Sequence, residues 1–172
     1  YEESYGYLVG THARDKDAVV ASMLICEMAA YYKSQGKTLI DVMNSLYDEF
    51  GYYCNTVQSY TFEGAAGMEK MAAIMDGLRD NKPSSFAGYE VTKIDDYKTS
   101  KSTIVKTGEE SEITLPKSNV LAYTLTNGNK VIVRPSGTEP KIKAYITAIG
   151  QSEENAKEIA QKLLDDANEL MK

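Results

Sequence analysis

The sequence of 172 residues has one histidine and two cysteines, and its 25 acidic residues outnumber its 19 lysines and arginines. A chain whose single histidine is His12 cannot form a multi-histidine metal site or support a mechanism that needs two histidines. The formal net charge of −6 argues against broad binding to nucleic acids or anionic membranes, because both need a surplus of Lys and Arg. No apolar run reaches membrane-spanning length, so neither kind of partner is expected.

The two cysteines, Cys26 and Cys54, are far apart in the sequence. This usage fits reduced thiols in a cytoplasmic protein better than a disulfide scaffold. The sequence contains no pattern typical of a signal peptide, and no internal repeat or low-complexity tract. It opens at Tyr1 in the middle of a pattern that predicts a strand and a turn, and we therefore expect a C-terminal piece of a longer polypeptide.

The first third of the chain predicts two helices. Residues 15–33 are almost continuously apolar and rich in Ala and Met, which predicts a largely buried helix capped by Asp15 or Asp17. Apolar residues then recur at spacings of three and four between Thr38 and Gly51, which predicts a second helix. Two helices alone expose apolar faces that need a sheet or further helices to cover them.

The rest of the chain predicts a strand, a helix, several strands and a last helix. This order is typical of an α+β domain in which an antiparallel sheet carries its helices on one face. The predicted elements are a linker over 51–57, a strand over 59–62, a helix with the apolar stripe Met68, Met71, Ala72, Met75 and Leu78, strands between 89 and 149 with an exposed polar excursion over 98–112, and a helix from Glu153 capped by Ser152.

Two strands near the C-terminal helix have clear patterns. An Asn-Gly turn over 126–129 separates two β-prone runs and predicts a hairpin. Alternation in the strand over 141–148 places Ile142, Ala144 and Ile146 on the core face, and Lys141, Lys143 and Tyr145 on the other.

The segment 134–141, RPSGTEPK, carries the clearest chemistry in the sequence. It lies between two predicted strands and is bracketed by prolines, which restrict the backbone before any ligand binds. Arg134 supplies a planar fork that matches two phosphate oxygens, and Gly137 allows close approach to backbone N–H groups. Ser136 and Thr138 add hydroxyl donors. This composition favours a phosphate-binding loop.

The local charge supports this interpretation. Residues 130–145 carry a charge of +3 within a chain of −6, from Lys130, Arg134, Lys141 and Lys143 against Glu139. The alternative is an ordinary Pro/Gly/Ser turn with solvated lysines, and composition alone leaves both interpretations open.

The N-terminal residues hold a second group of polar side chains. Glu2 and Ser4 lie two residues apart before Gly6, and a carboxylate with a serine suits neighbouring hydroxyls of a polyol. The alternative is a solvated acidic terminus. Asp15 and Asp17 do not indicate a metal site. They supply only two carboxylates with the cation Lys16 between them, and helix capping already accounts for both.

These segments together resemble a known family. EESYG over 2–6, RDKD over 14–17 and RPSGTEPK over 134–141 are similar, in order and separation, to motifs of the α-D-phosphohexomutase superfamily, and most of all to the phosphoglucomutase/phosphomannomutase enzymes. The resemblance covers essentially the whole chain. It implies that residues 1–50 are the C-terminal part of a third, α/β domain, and that residues 58–172 are a complete fourth domain.

The resemblance also implies roles for individual residues. The phosphate loop belongs to the mobile last domain of such enzymes, and sugar recognition belongs to the third domain. The implied residues are Glu2 and Ser4 for the sugar hydroxyls, Lys16 for the substrate phosphate, and Arg134, Ser136, Gly137 and Thr138 for the phosphate loop. Glu139 and Lys141 are part of the same motif, but the resemblance assigns them no specific contact, and His12 is expected to be an ordinary loop histidine.

The activity that the resemblance implies is that of an isomerase of carbohydrate metabolism, an intramolecular phosphotransferase. Enzymes of this family move a phosphoryl group between C1 and C6 of a hexose through a phosphoserine and a bisphosphate intermediate, with Mg²⁺ bound in the second domain. The implied substrate is glucose or mannose phosphate, and the EESYG form favours glucose. The remaining domains of the same polypeptide are the implied partners.

This sequence contains no Ser-His-Asn-type phosphoserine loop and no Asp-x-Asp-x-Asp metal loop. We therefore expect no catalytic residue, no bound metal and no activity in this chain alone. The alternative function is a stand-alone, non-catalytic phosphate- or phosphosugar-binding module, and a weaker one is a protein-interaction domain that uses the Met68–Met75 face. The apolar helices of residues 1–50 also predict self-association of the fragment.

Overall fold

The structure, a computed structural model, describes residues 6–64 and 66–171. The chain divides into two compact units, Tyr1–Phe50 and Gly51–Lys172. In the described part of the first unit there are two helices, α1 (Ala18–Ser34) and α2 (Leu39–Phe50).

Polar side chains cap both helices of the first unit. The Asp17 carboxylate accepts from the N–H groups of Val19 and Val20, at 3.0 and 3.1 Å, so Asp17 rather than Asp15 caps α1. Thr38 Oγ1 accepts from the Asp41 N–H at 3.1 Å, while the Asp41 carboxylate accepts from the Thr38 N–H at 2.8 Å. This reciprocal pair is the device expected at a helix start.

The prediction that the first helix is largely buried is wrong for this chain. No residue of α1 or α2 is buried, and the exposed fractions of Val19 and Ile40 reach 81% and 72%. Within the described residues 6–50 there is no strand, so this unit supplies no sheet of its own against which the apolar faces of the two helices could pack. None of the described helices has the length and apolar character needed to cross a membrane.

The second unit contains eight strands and two α-helices in its described part. They are β1 (Tyr52–Thr61), α3 (Gly67–Asp80), β2 (Ser85–Phe86), β3 (Tyr89–Asp96), β4 (Lys101–Ile104), β5 (Glu110–Glu112), β6 (Leu121–Leu125), β7 (Lys130–Pro135), β8 (Lys141–Gly150) and α4 (Glu153–Leu170).

The strands form one antiparallel sheet in the order β1-β8-β7-β6-β3-β4-β5, with β2 paired to β3. The predicted Asn-Gly turn joins β6 to β7, with positive φ angles of 67° at Asn127 and 85° at Gly128. The first and last strands pair along their whole lengths, from Tyr52 opposite Gly150 to Thr61 opposite Lys141. This pairing brings the end of β1 next to the loop between β7 and β8.

Two predicted boundaries need correction. Residues 52–57, predicted as part of a linker over 51–57, belong to β1, because that strand pairs along its whole length with β8. The polar excursion over 98–112 contains the paired strands β4 and β5, a short hairpin whose polar residues did not show the alternation of a half-buried strand.

Both helices pack on one face of the sheet, which confirms the predicted α+β fold. The core combines Met75 of α3 and Leu163 of α4 with inward-facing residues of the central strands, including Ile142 and Ile146 of β8 as predicted. The predicted stripe on α3 is only partly correct. Met71, Met75 and Leu78 are buried, whereas Met68 and Ala72 are exposed.

A partly buried ion pair links α3 to the sheet. Arg79 Nε lies 3.1 Å from Asp96 Oδ2, and the same guanidinium donates to Asn119 Oδ1 at 2.6 Å. Burial alone raises the pKa of Asp96, but the hydrogen bonds from Arg79 and from the Lys98 N–H, with the charge of Arg79, outweigh it and leave the pKa below 3.8. The carboxylate therefore contributes stability above that pH, and the contribution is lost as the pH falls through the lowered pKa.

We expect Asp96→Asn to destabilise the second unit by about 1–2 kcal/mol at pH 7, since a charge-assisted, partly solvated pair is lost. Below about pH 3.8 the deficit should shrink, because the wild-type carboxylate becomes protonated as well. Thermal melts from pH 7 to pH 2 measure both effects. Asp76→Asn, which removes a more exposed partner 3.8 Å from Arg79, is the control with a smaller expected effect. A deficit of constant size down to pH 2 would contradict the assignment.

Candidate phosphate-binding site

Residues 136–140 connect β7 to β8 in a tight loop that its own hydrogen bonds hold closed. The Ser136 N–H donates to the Lys141 carbonyl at 2.7 Å, and the Lys141 N–H donates to the Glu139 carbonyl, also at 2.7 Å. With the two prolines that flank it, the loop has little conformational freedom left to lose when a ligand binds.

The side chain of Ser136 organises the inside of the loop. Its Oγ accepts from the N–H groups of Thr138 and Glu139, at 3.3 and 3.2 Å. Because the oxygen serves as acceptor for both bonds, the hydroxyl proton of Ser136 can still be donated to a ligand.

Gly137 leaves the loop open to a ligand. Within the part of the chain that the structure describes, its N–H has no acceptor, and no atom lies within 4 Å of the position that a Cβ would take. Its φ is not in the left-handed region, so the glycine supplies space here rather than an unusual backbone conformation. A backbone donor with open space beside it suits an anion.

The loop forms one wall of a pocket of about 440 Å³. The pocket is lined by Arg134, Pro135, Ser136, Gly137, Thr138, Glu139, Lys141, Lys143 and Tyr145. The structure thus brings together the four residues that the sequence analysis placed in a phosphate loop, and their binding role stays a prediction. Three cations and one carboxylate give the pocket a positive balance.

Two of the cations in the pocket are neighbours on adjacent strands. Arg134 lies opposite Lys143 in register, on the face away from the helices, since the adjacent pair of Val133 and Ala144 is buried in the core. Among the described residues, Arg134 has no hydrogen-bond or ion-pair partner, and its side chain is exposed. A guanidinium without a protein partner has all its N–H groups available, and it can donate two parallel hydrogen bonds to a tetrahedral oxyanion.

Lys143 and Tyr145 also belong to the site, although neither was predicted there from the sequence. The Lys143 ammonium lies 6.0 Å from the centre of the Tyr145 ring, and both side chains line the pocket. The alternation of β8 already placed them on the face away from the core, beside the loop. What it could not supply was the pairing of Lys143 with Arg134 across two strands.

The base of the loop is anchored by the segment that joins β1 to α3. The Phe62 N–H donates to the Pro140 carbonyl at 2.9 Å. A Cβ on Gly67, the first residue of α3, would lie 2.3 Å from the Phe62 carbonyl oxygen and 3.1 Å from Pro140 Cβ. Only glycine fits at this contact, so the start of α3 packs directly against the phosphate loop.

The other predicted site residues belong to the first unit. Lys16 Nζ lies 2.9 Å from the Asp15 carboxylate, and hydrogen bonds from Lys16, with its charge, lower the pKa of Asp15. Lys16 precedes α1 in a loop, and the structure does not test its role in binding. Glu2 and Ser4 lie outside the described residues.

His12 contacts the residue that caps α1. Its Nε2 lies 3.1 Å from Asp17 Oδ2. The pKa of Asp17 is lowered, first by the hydrogen bond from the Val20 N–H and then by the bond with His12. The histidine therefore contributes to the start of a helix.

Within the part of the chain that the structure describes, no three His, Cys, Asp or Glu side chains cluster in a way that could hold a metal ion. The loop pocket has a single carboxylate beside three cations, which repels a cation rather than binding one. No step of the chemistry is therefore assigned to a metal on these residues.

Comparison with known families identifies both units of this chain. Residues 68–166 match the model of the C-terminal domain of phosphoglucomutase/phosphomannomutase, which is more than half of the 172 residues. The chain belongs to the phosphoglucomutase/phosphomannomutase family. Residues 1–50 match the alpha/beta/alpha domain III of the same family, and the two matches follow in the order that the sequence motifs imply.

The similar proteins include bacterial phosphoglucomutases. The chain is 41% identical over 147 residues to the phosphoglucomutase of Staphylococcus haemolyticus, which covers 86% of this chain and 27% of the relative. It is 39% identical over 165 residues to that of Staphylococcus epidermidis, covering 96% of this chain and 30% of the relative. The chain therefore spans less than a third of the length of these phosphoglucomutases.

A solved structure has a similar fold. The crystal structure of the exocytosis-sensitive phosphoprotein pp63/parafusin from Paramecium, a phosphoglucomutase in its open form, superposes with a TM-score of 0.60 at 15% identity. The match covers 93% of this chain and 28% of the other. At that identity the similarity concerns the fold alone.

Proposed function

We propose that this chain is the substrate-holding C-terminal part of a phosphohexomutase that interconverts hexose 1-phosphate and hexose 6-phosphate. The observation that carries the proposal is the loop between β7 and β8. Among the described residues, its Arg134 guanidinium and its Gly137 N–H have no partner, and both belong to one cationic pocket. Membership of the phosphoglucomutase/phosphomannomutase family supports the same conclusion.

The loop is proposed to hold the phosphate that is not being transferred. Arg134 donates to two phosphate oxygens, and the Gly137 N–H and the hydroxyls of Ser136 and Thr138 donate to the others. All of these groups donate hydrogen bonds and none of them is a base, so they bind and orient a dianion without exchanging a proton with it.

The sugar has to bind in two orientations in turn, because the phosphoryl group moves between its two ends. Recognition must therefore rest on hydroxyls near the middle of the ring. We propose Glu2 and Ser4 for these hydroxyls and Lys16 for a substrate phosphate, as the resemblance implies. Glucose phosphate is the proposed substrate, with mannose phosphate as the alternative.

The transfer itself is proposed to need parts of the enzyme that this sequence lacks. Neither a phosphoserine loop nor an Asp-x-Asp-x-Asp metal loop occurs in the 172 residues. Mg²⁺ bound elsewhere in the full-length enzyme would offset the charge of the transferred group. The chain alone is therefore proposed to bind phosphosugar and to be catalytically inert.

Two measurements on the purified chain test this proposal. Titration calorimetry at low salt is expected to show binding of glucose 1-phosphate and inorganic phosphate, and none of glucose. A coupled assay with glucose 1-phosphate is expected to show no formation of glucose 6-phosphate. Mutase turnover in a preparation free of contaminating enzyme contradicts the inertness, and failure of both phosphates to bind contradicts the function of the loop.

A further inference from the structure

The phosphate pocket contains a carboxylate of its own. Glu139 Oε2 lies 3.2 Å from the ammonium of Lys141, and both side chains line the pocket. We propose that Glu139 competes with phosphate for Lys141 and thereby keeps the affinity of the loop low. This inference rests on the proposed function of the loop and concerns how tightly that loop holds its ligand.

The backbone on both sides fixes the position of Glu139. Its N–H donates to Ser136 Oγ at 3.2 Å, and its carbonyl accepts from the Lys141 N–H at 2.7 Å. These two bonds fix the backbone of Glu139 close to Lys141, and the carboxylate itself accepts a hydrogen bond from Lys141 Nζ at 3.2 Å. A change of the side chain from carboxylate to amide leaves both backbone bonds in place.

A phosphate ester in the pocket is repelled by this carboxylate, because both are negatively charged. The ester carries between one and two negative charges near neutral pH, and Lys141 has to divide its attraction between two anions. The exposed fractions of the Glu139 and Lys141 side chains, 62% and 33%, mean that solvent screens the pair in part. Competition of this kind changes an affinity severalfold and does not abolish binding.

Weak binding suits the cycle proposed for the enzyme. The sugar has to leave the loop, turn and return with its other phosphate, so a loop with three unopposed cations would slow each exchange. A carboxylate that takes over Lys141 when the phosphate departs stabilises the empty loop relative to the occupied one. On this basis Glu139 sets the affinity of the loop and takes no part in the transfer.

The test is the affinity of the whole chain for inorganic phosphate, measured by titration calorimetry at low ionic strength. Glu139→Gln is expected to bind phosphate about three- to fivefold more tightly than the wild type, as expected when one partly screened like charge is removed. Glu112→Gln changes the net charge by the same amount on β5, at the opposite edge of the sheet from β1, and is expected to leave the affinity unchanged.

A second pair of variants tests whether the effect acts through Lys141. In a Lys141→Met background there is no ammonium for which Glu139 and phosphate compete. Adding Glu139→Gln to that background is therefore expected to raise the phosphate affinity by a smaller factor than it does in the wild type. The proposed competition is contradicted if Glu139→Gln raises the phosphate affinity by the same factor in both backgrounds. It is also contradicted if Glu139→Gln binds phosphate no more tightly than the wild type. In either case the wild type still binds, and the proposed function stands. If neither the wild type nor any variant binds phosphate, both the proposed function of the loop and the proposed effect of Glu139 are wrong.

Discussion

Replacement of Arg134 by alanine is expected to weaken the binding of glucose 1-phosphate by about ten- to a hundredfold, because a charge-assisted, two-point contact with phosphate is lost. Arg134→Lys keeps the charge but loses the planar fork, so its affinity should fall between those of the wild type and the alanine variant. Titration calorimetry at one fixed salt concentration measures the series.

The fold should not respond to this change. Arg134 is exposed and has no polar partner among the described residues, so the melting temperature of Arg134→Ala is expected to equal that of the wild type. Lys130→Ala is the matched control, because it removes one cation from the opposite end of the same strand, outside the pocket. An equal loss in Lys130→Ala would show that overall charge, and not the geometry of the loop, attracts the phosphate.

Gly67→Ala is expected to destabilise the second unit by about 1–3 kcal/mol, the usual cost of forcing an extra methyl group into a closed contact. The added Cβ would lie 2.3 Å from the Phe62 carbonyl oxygen, so either the turn before α3 or the helix itself has to move. Because Phe62 also anchors Pro140, the same movement should disturb the loop and lower its affinity for phosphate.

Gly77→Ala is the control for this prediction, because it makes the same chemical change within the same helix. Nothing lies within 4 Å of the Cβ position of Gly77, and alanine is the better helix former. We expect this variant to be as stable as the wild type or up to about 1 kcal/mol more stable. Denaturant unfolding gives the two values, and a Gly67→Ala variant as stable as Gly77→Ala would contradict the packing described.

The elements that could be predicted from the sequence are those whose signals are local. The period of β8 identified its buried residues, and the serine before α4 caps that helix, with Ser152 Oγ accepting from the Asn155 N–H at 3.2 Å. The segment 134–141 could likewise be recognised from its own composition, because proline, glycine and hydroxyl residues between two strands form a loop wherever the strands lie.

Contacts between distant parts of the chain could not be predicted in this way. The assignment of 51–57 to a linker failed because β1 is extended by its pairing with β8, about 90 residues later. The bond between Phe62 and Pro140 and the position of Lys143 opposite Arg134 also depend on strand order. The exposure of α1 could not be predicted either. The apolar pattern of a helix shows which residues can be buried, but it does not show whether another element covers them.

Several predictions from the sequence remain predictions. The roles of Glu2, Ser4 and Lys16 depend on a sugar-binding arrangement that the described residues do not contain. The self-association expected from the exposed apolar side chains of α1 and α2 also remains a prediction.

The binding of a phosphosugar by the loop between β7 and β8 is the central claim, and an amide-shift titration of the isotope-labelled chain with glucose 1-phosphate tests it most directly. The largest shifts are expected at the backbone amides of residues 136–139 and 141 and at the Nε–H of Arg134, with none in the hairpin of β4 and β5 at the other edge of the sheet. A titration that leaves the loop amides unmoved, or that moves the hairpin instead, would contradict the claim.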